Sequence, residues 1–322
     1  MGIAKIAVEE HFGLAEIIDD SQKRLPQPGW EKLRAALLDL KGGLLAQMDE
    51  HQIETAVLSL NSPGTQEIPD RRKAAEVAQR ANDYLAELVA RFPGRFQGLA
   101  AVPLQDPDAA ARELTRCVRT LGFKGVCVNG FSQVDREDSA VYCDRPEYEP
   151  FWATVEALRV PFYLHPRIAP PRSDLDGHPW FRGAVWSFGV ETATHALRLM
   201  GSGLFDRHPA LTVILGHLGE TLPHAIWRID HRLQAMPRGI PARQPLGEYL
   251  RQNFYFSTSG NFSTKALLHT MLEVGADRIL FAADYPFEKI SEAAEWFDGL
   301  DAISEPDRRK IARGNAEALF RL

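Results

Sequence analysis

Five side chains spaced widely along the chain are of the types that bind divalent metal ions. They are Glu9 and His11 in IAVEEHF, His165 in FYLHPR, His217 in VILGHLGE and Asp284 in ILFAADYPF. Each stands at the end of a short apolar run, where a buried strand leaves the core. Two carboxylates and two or three imidazoles suit a divalent ion such as Zn²⁺ or Mn²⁺. The pattern therefore predicts one mononuclear metal site in a metal-dependent enzyme.

The five residues differ in how strongly each supports a metal site by itself. Residues two apart on a strand share a face, so Glu9 and His11 can hold one ion while the glutamate between them faces away. A lone His165 or His217 is more typical of a satisfied core histidine. Asp284 follows a strongly apolar run, where a buried carboxylate without a partner would be costly. Four strand ends carrying such groups favour a shared site over independent structural accidents.

The elements that would position these residues alternate along the chain. Apolar runs typical of strands occupy residues 5–10, 55–60, 97–102, 125–130, 161–165, 211–217, 254–259 and 278–284. Amphipathic stretches such as 70–92 and 108–122 lie between most of them, and Gly122 and Gly275 are predicted to cap helices. Eight such units favour a closed (β/α)8 barrel of the TIM type, an α/β fold, over an open doubly wound sheet. The carboxyl ends of barrel strands meet at one face, so the five side chains would converge there. We predict a single domain over residues 1–322.

Two connections are longer than usual and each follows a strand with predicted ligands. They span residues 13–30 and 166–186 and contain proline, glycine and aromatic residues. We expect both to form walls of an active site, although surface excursions of no function remain the alternative.

Composition excludes several classes of protein. A net charge of −6 argues against nucleic-acid binding, which needs a concentrated basic face. No apolar run approaches the ~20 residues that cross a bilayer, and the first apolar run is predicted to be a strand and not a signal peptide. Three cysteines without CxxC spacing indicate neither a disulfide framework nor a zinc finger. We expect a cytoplasmic enzyme that contacts neither nucleic acid nor membrane.

Longer motifs carry a family resemblance that runs essentially from end to end. VEEHF, FYLHPR, DGHPW, ILGHLGETLPHAIWRIDHR, TSGNFST and DRILFAADYPFE resemble the metal-dependent amidohydrolase superfamily, specifically its aromatic-acid decarboxylase branch. Within that branch they resemble the γ-resorcylate (2,6-dihydroxybenzoate) decarboxylases, with the 2,3-dihydroxybenzoate decarboxylases nearby. The resemblance implies that Glu9, His11, His165 and Asp284 bind the metal, with His217 and Glu220 as a pair beside the substrate. It also implies a homo-oligomer, a dimer or tetramer.

This chain differs from the hydrolytic members of the superfamily in two motifs, and these differences narrow the type of reaction expected. Those members typically open with His-x-His and often use a modified lysine after the fourth strand. This chain has Glu9 and His11 instead, and its fourth strand ends in Asn129 and Gly130. The difference favours one metal and a non-hydrolytic reaction. Arg24 stands where the family resemblance leads us to expect an aromatic residue lining the pocket.

The resemblance implies a carboxy-lyase acting on a small aromatic carboxylic acid with an ortho hydroxyl. The expected reaction is reversible decarboxylation of 2,6-dihydroxybenzoate to resorcinol, with 2,3-dihydroxybenzoate as the alternative substrate. Asp284 would protonate the ring carbon, and His217 is the rival donor. Arg228 is expected to meet the carboxylate, from its own or a neighbouring subunit, with an ordinary arginine on the helix surface as the alternative. Phe287 is expected to pack on the ring, with a place in the core as the alternative. Two alternative hypotheses fit the same barrel: a metal-dependent hydrolase or hydratase, and a non-catalytic binding protein.

Overall fold

Eight parallel strands form the centre of the fold, in a computed structural model that describes residues 3–20, 22, 28–170 and 175–322. Their order in the sheet follows the chain, β1 to β8, which confirms the predicted (β/α)8 barrel. The strands are β1 (Lys5–Phe12), β2 (Ile53–Leu60), β3 (Phe96–Ala100), β4 (Gly125–Asn129), β5 (Phe162–His165), β6 (Val213–Leu215), β7 (Phe254–Ser257) and β8 (Ile279–Leu280).

Helices surround the strands and cover their outer faces. They are α1 (Trp30–Leu38), α2 (Leu45–Glu50), α3 (Arg71–Arg91), α4 (Pro107–Arg119), α5 (Glu149–Leu158), α6 (Ser187–Gly201), α7 (Leu204–Arg207), α8 (Leu222–Ala235), α9 (Leu246–Asn253), α10 (Thr264–Val274), α11 (Ile290–Asp298), α12 (Glu305–Arg309) and α13 (Asn315–Phe320). Short 3-10 helices occupy Gly64–Glu67, Pro146–Tyr148, Pro179–Phe181, Gly183–Val185 and Ala276–Arg278, and single π turns occupy Leu40–Leu44 and Lys310–Gly314. Buried apolar side chains fill both the barrel interior and the layer between strands and helices.

The first strand and the segment after the last strand complete the ring. The amide of Val8 donates to the carbonyl of Phe281 at 3.1 Å, and the amide of Asp284 donates to the carbonyl of Glu9 at 3.0 Å. The regular strand β8 covers only two residues, and the chain beyond Leu280 hydrogen-bonds both to β1 and to the segment that follows β7. The predicted eighth strand, 278–284, is therefore right in position and too long.

A bulge in β1 sets which of its polar side chains enters the barrel. Ile6 and Val8 belong to the interior cluster, so strict alternation would send Glu10 to that face. The pairing register with β2 shifts between Ala7 and Glu10, which changes the phase and brings Glu9 to the metal face instead. Bulges are common at barrel rims beside active sites, and this one was not predicted.

The two predicted capping glycines differ. Gly275 directly follows Val274 with a φ of 84°, and its amide donates to the carbonyl of Met271, as a helix end requires. Gly122 also has a positive φ of 76°, but its helix already ends at Arg119. None of the helices in the described residues is long and apolar enough to cross a membrane. The single-domain boundary at 1–322 stays a prediction.

Candidate active site

The structure brings the four side chains predicted as metal ligands together at the carboxyl ends of the strands. Glu9 and His11 come from β1, His165 ends β5, and Asp284 follows β8. One ligand atom from each lies within 4.8 Å of the others, and all four residues are buried. Buried carboxylates and imidazoles at this spacing are costly unless a cation compensates them. The group can therefore hold one divalent ion.

Glu9 is held so that one carboxylate oxygen faces the other ligands. Its Oε2 accepts hydrogen bonds from Tyr163, Ser257 and Ser259, with the Ser257 hydroxyl at 2.7 Å. Its Oε1 is buried, has no hydrogen-bond partner and lies 3.5 Å from Nε2 of His165. Burial raises the pKa of this carboxyl. An unpartnered buried oxygen aimed at an imidazole nitrogen fits a metal ligand with the chemistry of Mn²⁺ or Zn²⁺.

The two ligand histidines are oriented through their other ring nitrogens. Nδ1 of His165 lies 2.8 Å from Oδ1 of Asn129, which fixes the proton on Nδ1 and leaves the Nε2 lone pair toward Glu9. Burial lowers the pKa of His165 well below its usual range, so the ring is neutral. Nδ1 of His11 lies 3.0 Å from the Ser59 hydroxyl, and its Nε2 lies 3.1 Å from Oδ1 of Asp284.

Asp284 connects the ligand group to the predicted proton-transfer pair. Its Oδ2 lies 3.5 Å from Nε2 of His217, whose Nδ1 lies 2.6 Å from Oε1 of Glu220. Burial favours a neutral Asp284 carboxyl, but hydrogen bonds from His11 and His217 hold its pKa below the usual range. Burial lowers the pKa of His217, yet Glu220 and Asp284 together raise it well above the usual range. The imidazole of His217 thus lies between the carboxylates of Glu220 and Asp284.

The turn that carries this pair has an unusual backbone. Five consecutive residues from His217 to Thr221 have positive φ angles, of 54°, 57°, 90°, 53° and 71°. Only Gly219 among them adopts this region without steric cost. Strained backbone of this kind persists where surrounding structure enforces it, most often at functional sites. Hydrogen bonds from the Leu218 amide to Ser257 and from Asn261 to the His217 carbonyl hold the turn in place.

The ligand group opens into a cavity of about 850 Å³. Its walls include residues of the predicted loop 166–186, among them Arg167, Trp180 and Trp186, and residue Pro28 of the loop 13–30. Phe287 also lines the cavity, and its ring meets His11 edge to face with centroids 5.8 Å apart. Arg24 lies outside the described residues.

Arg228 is the one predicted site residue that lies apart from the others within this chain. It is exposed on α8 and lines a separate surface groove with Ile229, Arg232 and Met236. The side chain therefore does not reach the cavity from its own subunit.

Sequence reasoning missed the groups that support the ligands. Tyr163 points into the barrel from the middle of an apolar run, where nothing distinguishes it from core. Ser257 and Ser259 alternate in FYFSTS and Asn129 ends its strand, so strand-end position could have identified these three. Glu10 accepts the amides of Ala283 and Tyr285, a contact that only the three-dimensional structure reveals.

Comparison with known proteins assigns the family. The profile of the family described as Amidohydrolase matches residues 46–322. A γ-resorcylate decarboxylase of Polaromonas sp. (strain JS666 / ATCC BAA-500) is 55% identical, and the alignment covers 99% of this chain and 98% of that protein.

Two solved structures have the same fold over nearly the whole chain. The crystal structure of 2,6-dihydroxybenzoate decarboxylase complexed with 2,6-dihydroxybenzoate aligns with a TM-score of 0.96 at 53% identity, covering 99% of this chain and 100% of that one. The structure of a dihydroxybenzoic acid decarboxylase from Polaromonas sp. JS666 with bound manganese and the inhibitor 2-nitroresorcinol aligns with a TM-score of 0.95 at 55% identity, covering 99% and 97% of the two chains. The resemblance seen in the motifs is confirmed, and this chain belongs to the amidohydrolase family, among its γ-resorcylate decarboxylases.

Proposed function

We propose that this protein is a carboxy-lyase that converts 2,6-dihydroxybenzoate to resorcinol and CO₂, reversibly. The observation that carries the proposal is the contact of Asp284 with both the predicted metal ligands and the His217–Glu220 pair. A carboxylate in this position can exchange a proton with the hydroxyl of a bound phenol, while the charge of the metal site holds the substrate. Relatives that are more than half identical along their whole length carry the same activity in their names.

The chemical problem is the electron pair that CO₂ leaves behind. Direct loss of CO₂ from a benzoate would place this pair in the ring plane, where it cannot delocalise. Protonation of the carboxyl-bearing carbon comes first, so that the C–C bond then breaks as its electrons restore aromaticity. Two ortho hydroxyls make that carbon electron-rich. One proton is consumed, and one CO₂ and one resorcinol are released.

Asp284 is the proposed proton donor to the ring carbon. Its pKa is held low by His11 and His217, so it enters the reaction ionised. The ortho hydroxyl of the incoming substrate gives its proton to the carboxylate, which then passes it to carbon. His217, steadied by Glu220 at 2.6 Å, donates to the ionised oxygen of the substrate and assists the transfer. The rival assignment makes His217 the donor to carbon.

Glu9, His11, His165 and Asp284 are the residues that would hold the metal. A divalent ion there supplies positive charge that orients the carboxylate and an ortho oxygen of the substrate and favours the ionised hydroxyl. The nitrogen and oxygen donor set suits both Mn²⁺ and Zn²⁺. Manganese is bound in one relative's structure, and zinc stays a prediction.

Phe287 is proposed to pack against the aromatic ring of the substrate, because it lines the cavity beside His11.

Arg228 is proposed to meet the substrate carboxylate from a neighbouring subunit, since it lies outside the cavity of its own chain. Its helix exposes Trp227, 69% accessible, and the chain just beyond exposes Met236 at 47%, which favours a covered surface. We therefore infer a homo-oligomer, a dimer or tetramer. A cytoplasmic location also stays a prediction.

The direct test incubates metal-analysed protein with 2,6-dihydroxybenzoate and follows resorcinol by chromatography, beside a chelator-stripped sample. Metal-dependent resorcinol is the expected result. If metal-loaded protein makes no resorcinol but turns over 2,3-dihydroxybenzoate, the substrate is 2,3-dihydroxybenzoate instead. Failure of both acids together with hydrolysis of a lactone or amide would replace the decarboxylase by the hydrolase.

The proton donor is tested separately by Asp284→Asn in protein shown to retain its metal. The amide cannot carry the proton, and we expect kcat to fall by at least ~100-fold. Substantial activity of this metal-replete variant would transfer the role to His217.

A further inference from the structure

The carboxylate of Glu10 is buried beside the ligand group but does not belong to it. Its Oε1 accepts the amide of Ala283 at 2.9 Å, and its Oε2 accepts the amide of Tyr285 at 2.7 Å. The residue is 1% exposed. Both carboxylate oxygens of Glu10 therefore accept hydrogen bonds from backbone amides, one on each side of Asp284.

The backbone at Asp284 explains why such an acceptor is needed. Its φ is 83°, a conformation that residues with a side chain rarely adopt. In a regular strand, neighbouring amides point to opposite sides, and only every second one can reach the same partner. Here three consecutive amides, of residues 283 to 285, all donate to residues Glu9 and Glu10 of β1.

Successive amides converging in this way form a concave site for an anion. Glu10 fills that site with a two-oxygen acceptor, which the β1 backbone alone could not supply. The contact also joins β1 to the segment after β8, at the carboxyl end of the barrel where the ring closes.

We propose that Glu10 is a positioning residue that holds Asp284 in its left-handed conformation and so sets the metal-binding and proton-transfer geometry of this carboxylate. The proposal deepens the proposed function and rests on it for its kinetic part alone. Removing a group that orients a metal ligand typically weakens metal affinity or activity by about 10- to 100-fold.

The test compares Glu10→Gln with Asp298→Asn. Glutamine keeps one acceptor but turns an NH₂ toward the other amide. Asp298 pairs with the buried Lys5 at the opposite end of the same strand, at 2.9 Å, so its variant perturbs the barrel without touching the site.

For Glu10→Gln we expect the dissociation constant for Mn²⁺, measured by chelator competition, to rise about 10-fold. Its kcat should fall by a similar factor while KM for 2,6-dihydroxybenzoate changes less than about 2-fold. Asp298→Asn should lower Tm and leave both constants unchanged.

A Glu10→Gln protein with wild-type Mn²⁺ affinity and kcat, and only a lower Tm, would overturn the proposal. If that variant does not fold, hydrogen exchange of the wild-type protein decides. The amides of Ala283 and Tyr285 should be protected as strongly as those of the central strands, and exchange as fast as a surface turn would also overturn it. The metal and exchange measurements need no substrate, so a wild-type protein that makes no resorcinol would refute the proposed function without deciding the role of Glu10.

Discussion

Nδ1 of His217 lies 2.6 Å from Oε1 of Glu220, across a turn in which both residues have left-handed backbone angles. Three residues apart in an ordinary strand, the two side chains would point to opposite faces of the sheet. The strained turn folds them back onto each other and directs Nε2 of His217 toward Asp284. Backbone strain is thus the means by which the chain assembles this pair.

Replacing Glu220 by glutamine should impair turnover without removing the metal. The amide cannot compensate an imidazolium, so His217 loses the charge that holds its proton and orientation. We expect kcat to fall about 100-fold, within the range for a general acid–base group. Steady-state kinetics with parallel metal analysis checks this. Glu76→Gln, in a surface pair with Arg72, is the control and should be neutral. Unchanged kcat in metal-replete Glu220→Gln would remove the pair from the mechanism.

Thr221→Gly should stabilise the protein. Thr221 is exposed with a φ of 71°, and glycine adopts this region without the penalty of about 1 kcal/mol that a side chain carries. The free energy of unfolding from urea titration is the measurement. Thr194, exposed in the middle of α6, provides the same substitution in an ordinary helix, where glycine should destabilise. Equal destabilisation by the two variants would show that the turn is not strained.

Removing the metal should lower Tm as well as activity. Without a cation, the carboxylates of Glu9 and Asp284 repel each other inside a buried site. An ion present at 100 times its dissociation constant stabilises the folded state by about 2.7 kcal/mol. Calorimetry before and after chelation, with Mn²⁺ added back, measures the effect. A Tm that does not respond to Mn²⁺ would argue against a metal bound by this group.

Glu191 should make stability depend on pH. Burial raises its pKa from 4.5 to about 7, although Tyr142, Arg167 and Arg198 oppose the shift. Between these values the folded protein keeps a proton that the unfolded chain has lost, so stability falls as pH rises through the window and the penalty is complete above it. The penalty is on the order of 3 kcal/mol.

Glu191→Gln removes this titration. Relative to the wild type, the variant should gain stability between pH 5 and pH 8, measured by urea unfolding at both. A difference between the two proteins that is the same at both pH values would contradict the assignment.

Mixed oligomers test whether Arg228 acts across an interface. Arg228→Ala and Asp284→Asn should each be nearly inactive alone. Co-expressed, they should form sites that combine the intact Asp284 of one chain with the intact Arg228 of its neighbour, and activity should return in part. Tagged chains purified in two affinity steps provide the hybrid. No recovery in a verified hybrid, or full activity of Arg228→Ala, would place the arginine outside the site.

The barrel and the position of the candidate site could be predicted because both depend on local patterns, whereas the choice of four ligands among the five residues came from the family resemblance. Apolar runs locate strands, and polar residues at their ends locate the site, so Glu9, His165 and Asp284 stand out in the sequence. Two of the supporting groups, Tyr163 and Glu10, could not be predicted, since neither has a local signal in the sequence. Tyr163 resembles core, and Glu10 finds its partners 273 and 275 residues away along the chain.

Backbone conformation was the other feature that could not be predicted from the sequence. Nothing in the letters HLGET distinguishes a left-handed turn from the start of the following helix, apart from one glycine. The bulge in β1 was equally hidden, because the predicted pairing of Glu9 with His11 needed only alternation and not a register. Arg228 lies on the predicted helix, but whether a neighbour covers it depends on surfaces that a single chain does not define.

The most direct measurement is nuclear magnetic resonance of the reaction run in D₂O with Mn²⁺-loaded protein and 2,6-dihydroxybenzoate. We expect one CO₂ per resorcinol, and one deuteron on the carbon between the two hydroxyls, where the carboxylate was attached. Resorcinol alone should show no such exchange over the same time. Consumption of the acid without CO₂, or resorcinol formed at the same rate after the metal is stripped, would contradict the central claim.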